Sequence, residues 1–486
     1  MPPSGENLST LAELVGGRLE GDGDVECSDV THDSRQVAGG TVFVAVRGES
    51  HDGHDFVDDA VARGACAVVT ERPVPVNVPY LVVADTRIAL APLAAAIHGY
   101  PSERLTLVGI TGTNGKTTVT YLLESIAQAA GQRPGVIGTV ETRVAGEPVP
   151  ALRTTPEASD FQRLLRTMVD RRVDLVAAEI SSHALALHRV DSSVFAVAGF
   201  TNLSQDHLDF HGDMESYFEA KARLFTPELS QRAVISTDDP WGVRLASRAT
   251  IPLLTVGTTG SEDVTARTRS RDLRSTVIEL TLPDGDAVDI SVPIAGRFGV
   301  ANALVAAGCA WASGVDPAAI VSGIERCPQV PGRFEVVAPE PVVVVDYAHT
   351  PAGIEGVISS ARDLVEGRVI AVIGAGGDRD RSKRPAMGSA GATADMLFVT
   401  SDNPRSEDPD AIIDDVISGI ATDIPVFRVT NRREAISGAI TQAESGDIIL
   451  ILGKGHETGQ ESGGTVLPFD DRVVAAEELA RRGGTR

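Results

Sequence analysis

The 486 residues carry 43 Lys and Arg against 67 Asp and Glu, a formal net charge of −24, with 42% hydrophobic residues, 4% aromatics, 48 glycines and four cysteines. That length exceeds one ordinary core and predicts about three domains, and a chain rich in Gly, Ala and Val suits α/β layers in which helices sit close to sheets. The acidic balance excludes a general nucleic-acid or membrane-surface binder, since both need basic patches, so an anionic substrate has to be met by locally placed Arg and Lys.

The opening Met1-Pro2-Pro3-Ser4-Gly5-Glu6-Asn7 has neither the basic nor the apolar region of a secretory leader, and no run of about 18 apolar residues follows, which predicts a cytoplasmic protein without membrane insertion. Cys27, Cys66, Cys309 and Cys327 lie far apart and predict reduced, buried side chains rather than a disulfide frame or a zinc site. Helical patterns at 8–15, 56–63 and 88–98 alternate with strand-like runs at 41–47, 67–70 and 80–83, an α/β unit ending near 102 at Tyr100-Pro101-Ser102-Glu103.

The apolar run Leu105-Thr106-Leu107-Val108 then leads through Gly109-Ile110-Thr111-Gly112-Thr113-Asn114-Gly115-Lys116-Thr117-Thr118 into a helical pattern at 119–130. A strand, a Gly-rich turn and a helix start make a phosphate cradle, because backbone N–H groups and the helix N-terminus face the anion and Lys116 adds a point charge. The Walker pattern G-x-x-x-x-G-K-[ST] would place Gly at 110; Ile110 stands there between Gly109 and Gly112, so this is a variant P-loop that predicts a nucleoside triphosphate. Strands expected at 136–140, 175–180, 195–200 and 233–236 extend a mostly parallel sheet with its site at the strand C-termini. Glu179 closes one of them, as a Walker-B acid does. Alternation over 262–293 around Pro283-Asp284-Gly285-Asp286 predicts an attached antiparallel hairpin. Pro328, Pro331 and Gly332 mark a second boundary, and strands at 342–345, 369–373, 396–400 and 448–452 predict a third α/β domain. The expected fold is therefore α/β in three domains: 1–102, a central P-loop parallel-sheet domain at 103–330, and a C-terminal dinucleotide-fold-like domain at 331–486.

Further motifs follow the P-loop in order: Glu179-Ile180-Ser181-Ser182-His183, Asn202-Leu203-Ser204-Gln205-Asp206-His207-Leu208-Asp209, Tyr217-Phe218-Glu219-Ala220-Lys221, Gly296-Arg297-Phe298-Gly299-Val300-Ala301-Asn302, Pro331-Gly332-Arg333 and Asp346-Tyr347-Ala348-His349-Thr350-Pro351. Together they resemble the Mur ligase family over nearly the whole chain. Gly377-Asp378-Arg379-Asp380 with Lys383-Arg384-Pro385, Asp402-Asn403-Pro404-Arg405 and Gly453-Lys454-Gly455-His456-Glu457 resemble the member that adds an amino acid to UDP-N-acetylmuramoyl-L-alanyl-D-glutamate. In that family Asp-Asn-Pro-Arg accompanies meso-diaminopimelate rather than L-lysine.

The resemblance implies an ATP-dependent amide-forming ligase of cytoplasmic peptidoglycan precursor synthesis, serving cell wall biogenesis, cell shape and division. ATP phosphorylates the substrate carboxylate and the amine attacks the acyl phosphate, a chemistry that asks for positioning and charge neutralisation. ATP contacts are implied at Gly112, Thr113, Asn114, Gly115, Lys116, Thr117 and Thr118, with Asn302 on adenine, Asp346 on ribose and Arg333 on the γ-phosphate. Lys116, Glu179, His207 and Lys221 are the implied catalytic set. Mg²⁺ is expected on Thr117, Glu179, His207 and Lys221, the last as a CO₂-derived carbamate. For the UDP-sugar peptide the resemblance implies Ser34, Thr154, Thr155, Ser181, His183 and Arg189. For the amino acid it implies Arg405 and Arg379 as cations, with Asp402, Asn403, Gly453 and Glu457; a bidentate Arg405 suits a distal carboxylate that lysine lacks.

Three alternatives stay open at this point. The same ligase could take L-lysine. A folylpolyglutamate synthase-like ligase shares the core chemistry but lacks the N-terminal domain and Asp-Asn-Pro-Arg. A non-enzymatic P-loop switch needs no metal-binding acid set beside an amino-acid pocket. Nothing in the sequence sets the oligomeric state.

Overall fold

Strands buried on both faces dominate the computed structural model, which describes residues 5–48, 51–150, 153–283 and 285–483. In the N-terminal part a five-stranded sheet runs Arg18–Glu20, Tyr80–Val82, Ala67–Thr70, Thr41–Val44, Asp29–Thr31, parallel except at its first pair. Val42 and Val44 face one hydrophobic layer and Phe43 the other, as parallel strands covered on both sides require. The helix Thr86–Ile97 starts two residues before the expected 88 because the Asp85 carboxylate accepts the N–H groups of Arg87 and Ile88.

The central sheet has eleven strands. Its parallel heart runs Pro134–Ile137, Leu175–Glu179, Thr106–Thr111, Val197–Phe200, Ala233–Ser236, Leu253–Gly257. The chain leaves Thr106–Thr111 toward one edge of the sheet and leaves Val197–Phe200 toward the other. The crevice between their C-terminal ends is therefore the topological switch point, where doubly wound sheets bind ligands. The helix Lys116–Ala129 begins three residues before the expected 119, because the apolar period starts only at Val119 whereas the backbone turns helical as soon as Gly115, at φ 91°, closes the loop.

The region expected as one hairpin is a three-stranded antiparallel extension, Val264–Arg271, Thr276–Thr281 and Val288–Val292. Its unexpected first turn is closed by Asp272, which accepts the N–H groups of Arg274 and Ser275. The expected turn at 283–286 contains Asp284, which lies outside the described residues, as do residues 1–4 of the opening segment.

The C-terminal sheet runs Glu335–Pro339, Val342–Asp346, Ile448–Leu452, Val369–Ala375, Met396–Ser401, Val426–Arg428, parallel but for its first strand. Val342 and Val344 pack on one face, Val343 and Val345 on the other. The cysteines correct an expectation: Cys27, Cys309 and Cys327 are buried, but Cys66 is half-buried and its thiol lies 3.9 Å from that of Cys27. The two sit 39 residues apart in sequence, so spacing carried no sign of the contact. Among the described residues no helix is long and apolar enough to cross a membrane.

Candidate active site

The P-loop is built by exclusion. Gly112 and Gly115 adopt φ of 144° and 91°, and a Cβ at either would overlap Thr201 Oγ1 or Asn302 Oδ1. The neighbouring loop holds this turn in place: Thr113 N donates to Asn202 O at 2.8 Å, Asn114 N to Asn202 Oδ1 at 3.0 Å, and Thr201 Oγ1 to Asn114 O at 2.6 Å. Thr113 Oγ1 lies 3.2 Å from the Tyr217 hydroxyl. Lys116 curls back over the loop, its Nζ donating to Gly112 O and Thr113 O at 2.9 Å each. Burial drives its ammonium below the usual lysine range, against the pull of Glu179.

Around this loop the structure gathers Glu179, His207 and Lys221. Glu179 is 1% exposed and its carboxylate accepts Thr139 N at 3.0 Å and Thr139 Oγ1 at 2.9 Å. Lys221 is 2% exposed; its Nζ donates to Gly112 O at 2.9 Å and lies 4.7 Å from the centre of the Tyr217 ring. Burial, and then repulsion from Lys116, holds Lys221 well below the ordinary lysine range. His207 packs edge-on against His183 with ring centres 4.8 Å apart, and burial pushes its imidazole down to about 3, leaving it neutral. No group of three or more His, Cys, Asp or Glu able to hold a metal occurs among the described residues. A single carboxylate with a hydroxyl is a hard oxygen set that suits Mg²⁺, which takes one or two carboxylates and completes its shell with phosphates and water; the neutral imidazole is a softer donor beside it.

The second wall comes from the linker and third domain. Arg333 Nη2 donates to Thr117 Oγ1 at 3.1 Å, its guanidinium lies 4.5 Å from the centre of the Tyr347 ring, and its buried Nε–H has no hydrogen-bond partner among the described residues. An orphaned donor beside a P-loop fits an anion that completes it. Asn302, Thr118, Arg333 and Asp346 line a cavity floored by Phe298 and Phe334. Both Asp346 oxygens accept backbone N–H groups, of Phe334 and Ala348, at 2.7 Å each.

A cleft of about 1660 Å³ runs between the N-terminal and central parts and is lined by Ser34, His183, Arg189 and, from the third domain, Arg379. Arg35, Arg47, Arg87 and Arg153 line it too, beside Asp33, Asp59, Glu157 and Asp209, so arginines outnumber carboxylates here in an otherwise acidic chain. Arg189 pairs with Glu157 at 2.8 Å. Thr154, Thr155 and Ser181 do not line this cleft. Thr154 Oγ1 meets Thr139 Oγ1 at 2.9 Å beside Glu179, while Thr155 is buried and donates to Glu179 O at 2.8 Å. The Ser181 hydroxyl accepts Ala184 N at 3.1 Å, capping the helix Ser182–Ala186.

In the third domain Asp402, Asn403, Arg405, Gly453 and Glu457 converge. Asn403 Nδ2 donates to Glu457 Oε2 at 2.8 Å, Arg405 Nη1 to Gly377 O at 2.6 Å, and Arg405 Nε lies 3.4 Å from Glu461. A Cβ at Gly453, φ 115°, would come within 2.6 Å of Asp402 Oδ2. Arg379 and Arg405 both border Gly376.

Several residues here went unassigned in the sequence, although the motifs that hold Asp206 and Arg384 were noted. Asp206 is buried and bridges domains, 3.0 Å from Lys383 Nζ and 3.6 Å from His349 Nε2. Buried Arg384 donates to Glu407 and to Gly376 O, and Glu407 accepts Asp378 N at 2.6 Å, lacing the Arg379 and Arg405 loops together. Buried Arg432 donates to Leu452 O and pairs with Asp471. A buried basic residue is the signal they share, and burial is not readable from a local pattern.

Residues 26–98, 110–310 and 332–455 match, in turn, the Mur ligase family catalytic domain, the Mur ligase middle domain, and the Mur ligase glutamate ligase domain. The chain is 44% identical to the UDP-N-acetylmuramoyl-L-alanyl-D-glutamate--2,6-diaminopimelate ligase of Streptomyces coelicolor, with 99% of each chain covered. A solved structure of a ligase of that name superposes with a TM-score of 0.70 at 31% identity, covering 99% of both chains. The Mycobacterium tuberculosis folylpolyglutamate synthase complexed with ADP and AMPPCP has the same fold, at 21% identity and a TM-score of 0.60, over 82% of this chain and 95% of its own.

Proposed function

This chain belongs to the Mur ligase family and is an ATP-dependent amide-forming ligase, and from that premise we propose that it joins meso-diaminopimelate to UDP-N-acetylmuramoyl-L-alanyl-D-glutamate. The observation that supports the substrate reading is the cleft that Ser34, Arg189 and Arg379 line together, since it brings a third-domain arginine to the edge of an arginine-rich groove of the first two. A folylpolyglutamate synthase-like role is disfavoured by the Mur ligase match at 26–98 and by Asp402-Asn403-Pro404-Arg405.

In this reading the loop 112–118, through the N–H groups not given to Asn202, holds the triphosphate with Lys116 and Arg333, Asn302 reads adenine and Asp346 faces ribose while fixing the linker. Thr117, Glu179, His207 and carbamylated Lys221 would hold Mg²⁺, which supplies charge neutralisation to the phosphates. The substrate carboxylate displaces ADP from the γ-phosphorus, the diaminopimelate amine attacks the acyl carbon, and phosphate leaves. Burial favours an unprotonated Lys221, whose nitrogen can attack CO₂ and lose a proton to give the carbamate. Ser34, His183 and Arg189 contact the UDP-sugar peptide, with Thr154, Thr155 and Ser181 positioning the strand ends around Glu179. Arg405 and Arg379 take the distal carboxylate; Asp402, Asn403 and Glu457 take an ammonium beside Gly453.

Phosphate release that requires both the UDP-linked dipeptide and diaminopimelate, with the product identified by mass, tests this directly. Arg405→Ala should raise the KM for diaminopimelate by about tenfold or more and leave that for ATP unchanged. Equal use of L-lysine by the native enzyme, or unaltered diaminopimelate kinetics in Arg405→Ala, sinks the selection mechanism.

A further inference from the structure

Lys454 lies just beyond the strand Ile448–Leu452 with none of its surface exposed, so it cannot approach a substrate itself. Its Nζ donates to Asn403 Oδ1 at 3.1 Å and to Glu457 Oε2 at 3.0 Å, and lies 3.7 Å from Asp402 Oδ1. Asn403 Oδ1 also accepts Glu461 N at 2.9 Å, so two donors fix which way its amide points and turn Nδ2 onto Glu457. One buried ammonium thus meets three of the residues assigned to the amino-acid pocket. Among Asp402, Glu457 and Lys454 two carboxylates meet one ammonium and leave a net negative charge; the neighbouring arginines are already paired, Arg405 with Glu461 at 3.4 Å and Arg432 with Asp471.

We propose that Lys454 is a positioning and specificity-determining residue, orienting Asn403 and Glu457 and cancelling one carboxylate charge so that the pocket prefers a zwitterionic head group to a bare ammonium. This rests on the amino-acid pocket proposed above. A head group with one ammonium and one carboxylate satisfies both the residual negative charge and Arg405. Without the Lys454 charge, Asp402 and Glu457 keep only the more distant pull of Arg432, itself paired with Asp471, and that favours the extra cation of L-lysine over the net-neutral distal end of diaminopimelate.

The test compares full-length Lys454→Gln and Lys454→Arg with the native enzyme, measuring kcat and KM for diaminopimelate, L-lysine and ATP with the UDP-linked dipeptide. Lys454→Gln should raise the diaminopimelate KM by about tenfold, leave the ATP KM within about twofold, and move the diaminopimelate-to-lysine ratio of kcat/KM about tenfold toward lysine. Lys454→Arg, which keeps the charge, should hold that ratio within about threefold of native. Should the glutamine variant not fold, Asp402→Asn combined with Lys454→Gln keeps the net charge and should retain the preference for diaminopimelate. An unchanged ratio in Lys454→Gln, a loss in Lys454→Arg equal to that in Lys454→Gln, or a lysine preference in the charge-balanced pair overturns the proposal. Arg405→Ala separates the two readings: if it leaves diaminopimelate KM unaltered the pocket itself is wrong, whereas if it raises that KM while Lys454→Gln leaves the ratio alone, only the role of Lys454 falls.

Discussion

Lys221 is a lysine in a place that rejects an ammonium. It is buried, it forms no ion pair among the described residues, and its nearest polar contact is the Gly112 carbonyl at 2.9 Å. Lys116, which donates to the same carbonyl, adds repulsion. A carbamate reverses that sign and gives Lys116 a partner, which is why the modification suits this position. Lys221→Ala should lose on the order of 10³-fold in kcat, and formate or acetate should restore part of it by filling the vacated anion position. No recovery with either carboxylate, together with native activity that is indifferent to stripping CO₂ and bicarbonate from the buffer, would refute the carbamate.

The P-loop is the element on which the nucleotide site depends, and its glycines differ in why they are needed. At Gly115 a side chain would be strained by φ 91° and would also collide with Asn302, whereas at Gly131, φ 72°, nothing lies within 4 Å. Gly131→Ala therefore reports backbone strain alone, about 1–2 kcal/mol in urea unfolding. Gly115→Ala should cost more than that and raise the KM for ATP, because Asn302 has to move from the wall of the cavity beside the loop. Matching stabilities for the two variants, with ATP kinetics unaltered in Gly115→Ala, would show that the packing against Asn302 is dispensable.

At the scale of the whole molecule the site exists only where domains meet. The N-terminal part docks through Arg163 on Asp29 at 3.1 Å and His32 on Ser159 at 3.1 Å, and the third domain through Asp206 on Lys383. Burial alone would raise the Asp206 carboxyl, but the hydrogen-bonding His349 and the Lys383 ammonium hold it well below the usual carboxylate range. With a depressed native value, its contribution is full above the unfolded pKa of about 3.9 and fades only as pH falls toward the native one, so mild acid should leave the domains joined. Lys383→Met strips the ammonium partner from a buried carboxylate, a loss of about 3–5 kcal/mol where such pairs have been broken. Small-angle scattering of the nucleotide-free variant should show a larger radius of gyration, accompanied by a fall in kcat. Unchanged scattering and turnover would mean that Lys383 does not fasten the third domain.

Chemistry with a local signature was legible in the sequence. Gly112 to Thr118 announced a phosphate loop because strand, glycines, lysine and helix start are contiguous, and Glu179 announced an acid because it closes an apolar strand. The alternation of strands and helices likewise disclosed the α/β class, since the apolar runs at 342–345 and 42–44 pack on both sheet faces and need helices over each. Family resemblance supplied roles for Asn302, Arg333 and Arg405 that no spacing could. What local pattern hid was burial and partnership across long separations: Lys454 against Asn403, Lys383 against Asp206, and Cys66 against Cys27. A lysine or a cysteine reads the same in a sequence whether it faces water or a neighbour from a distant strand. The cost of removing a charge from water, and the partner that repays it, exist only once the chain has folded.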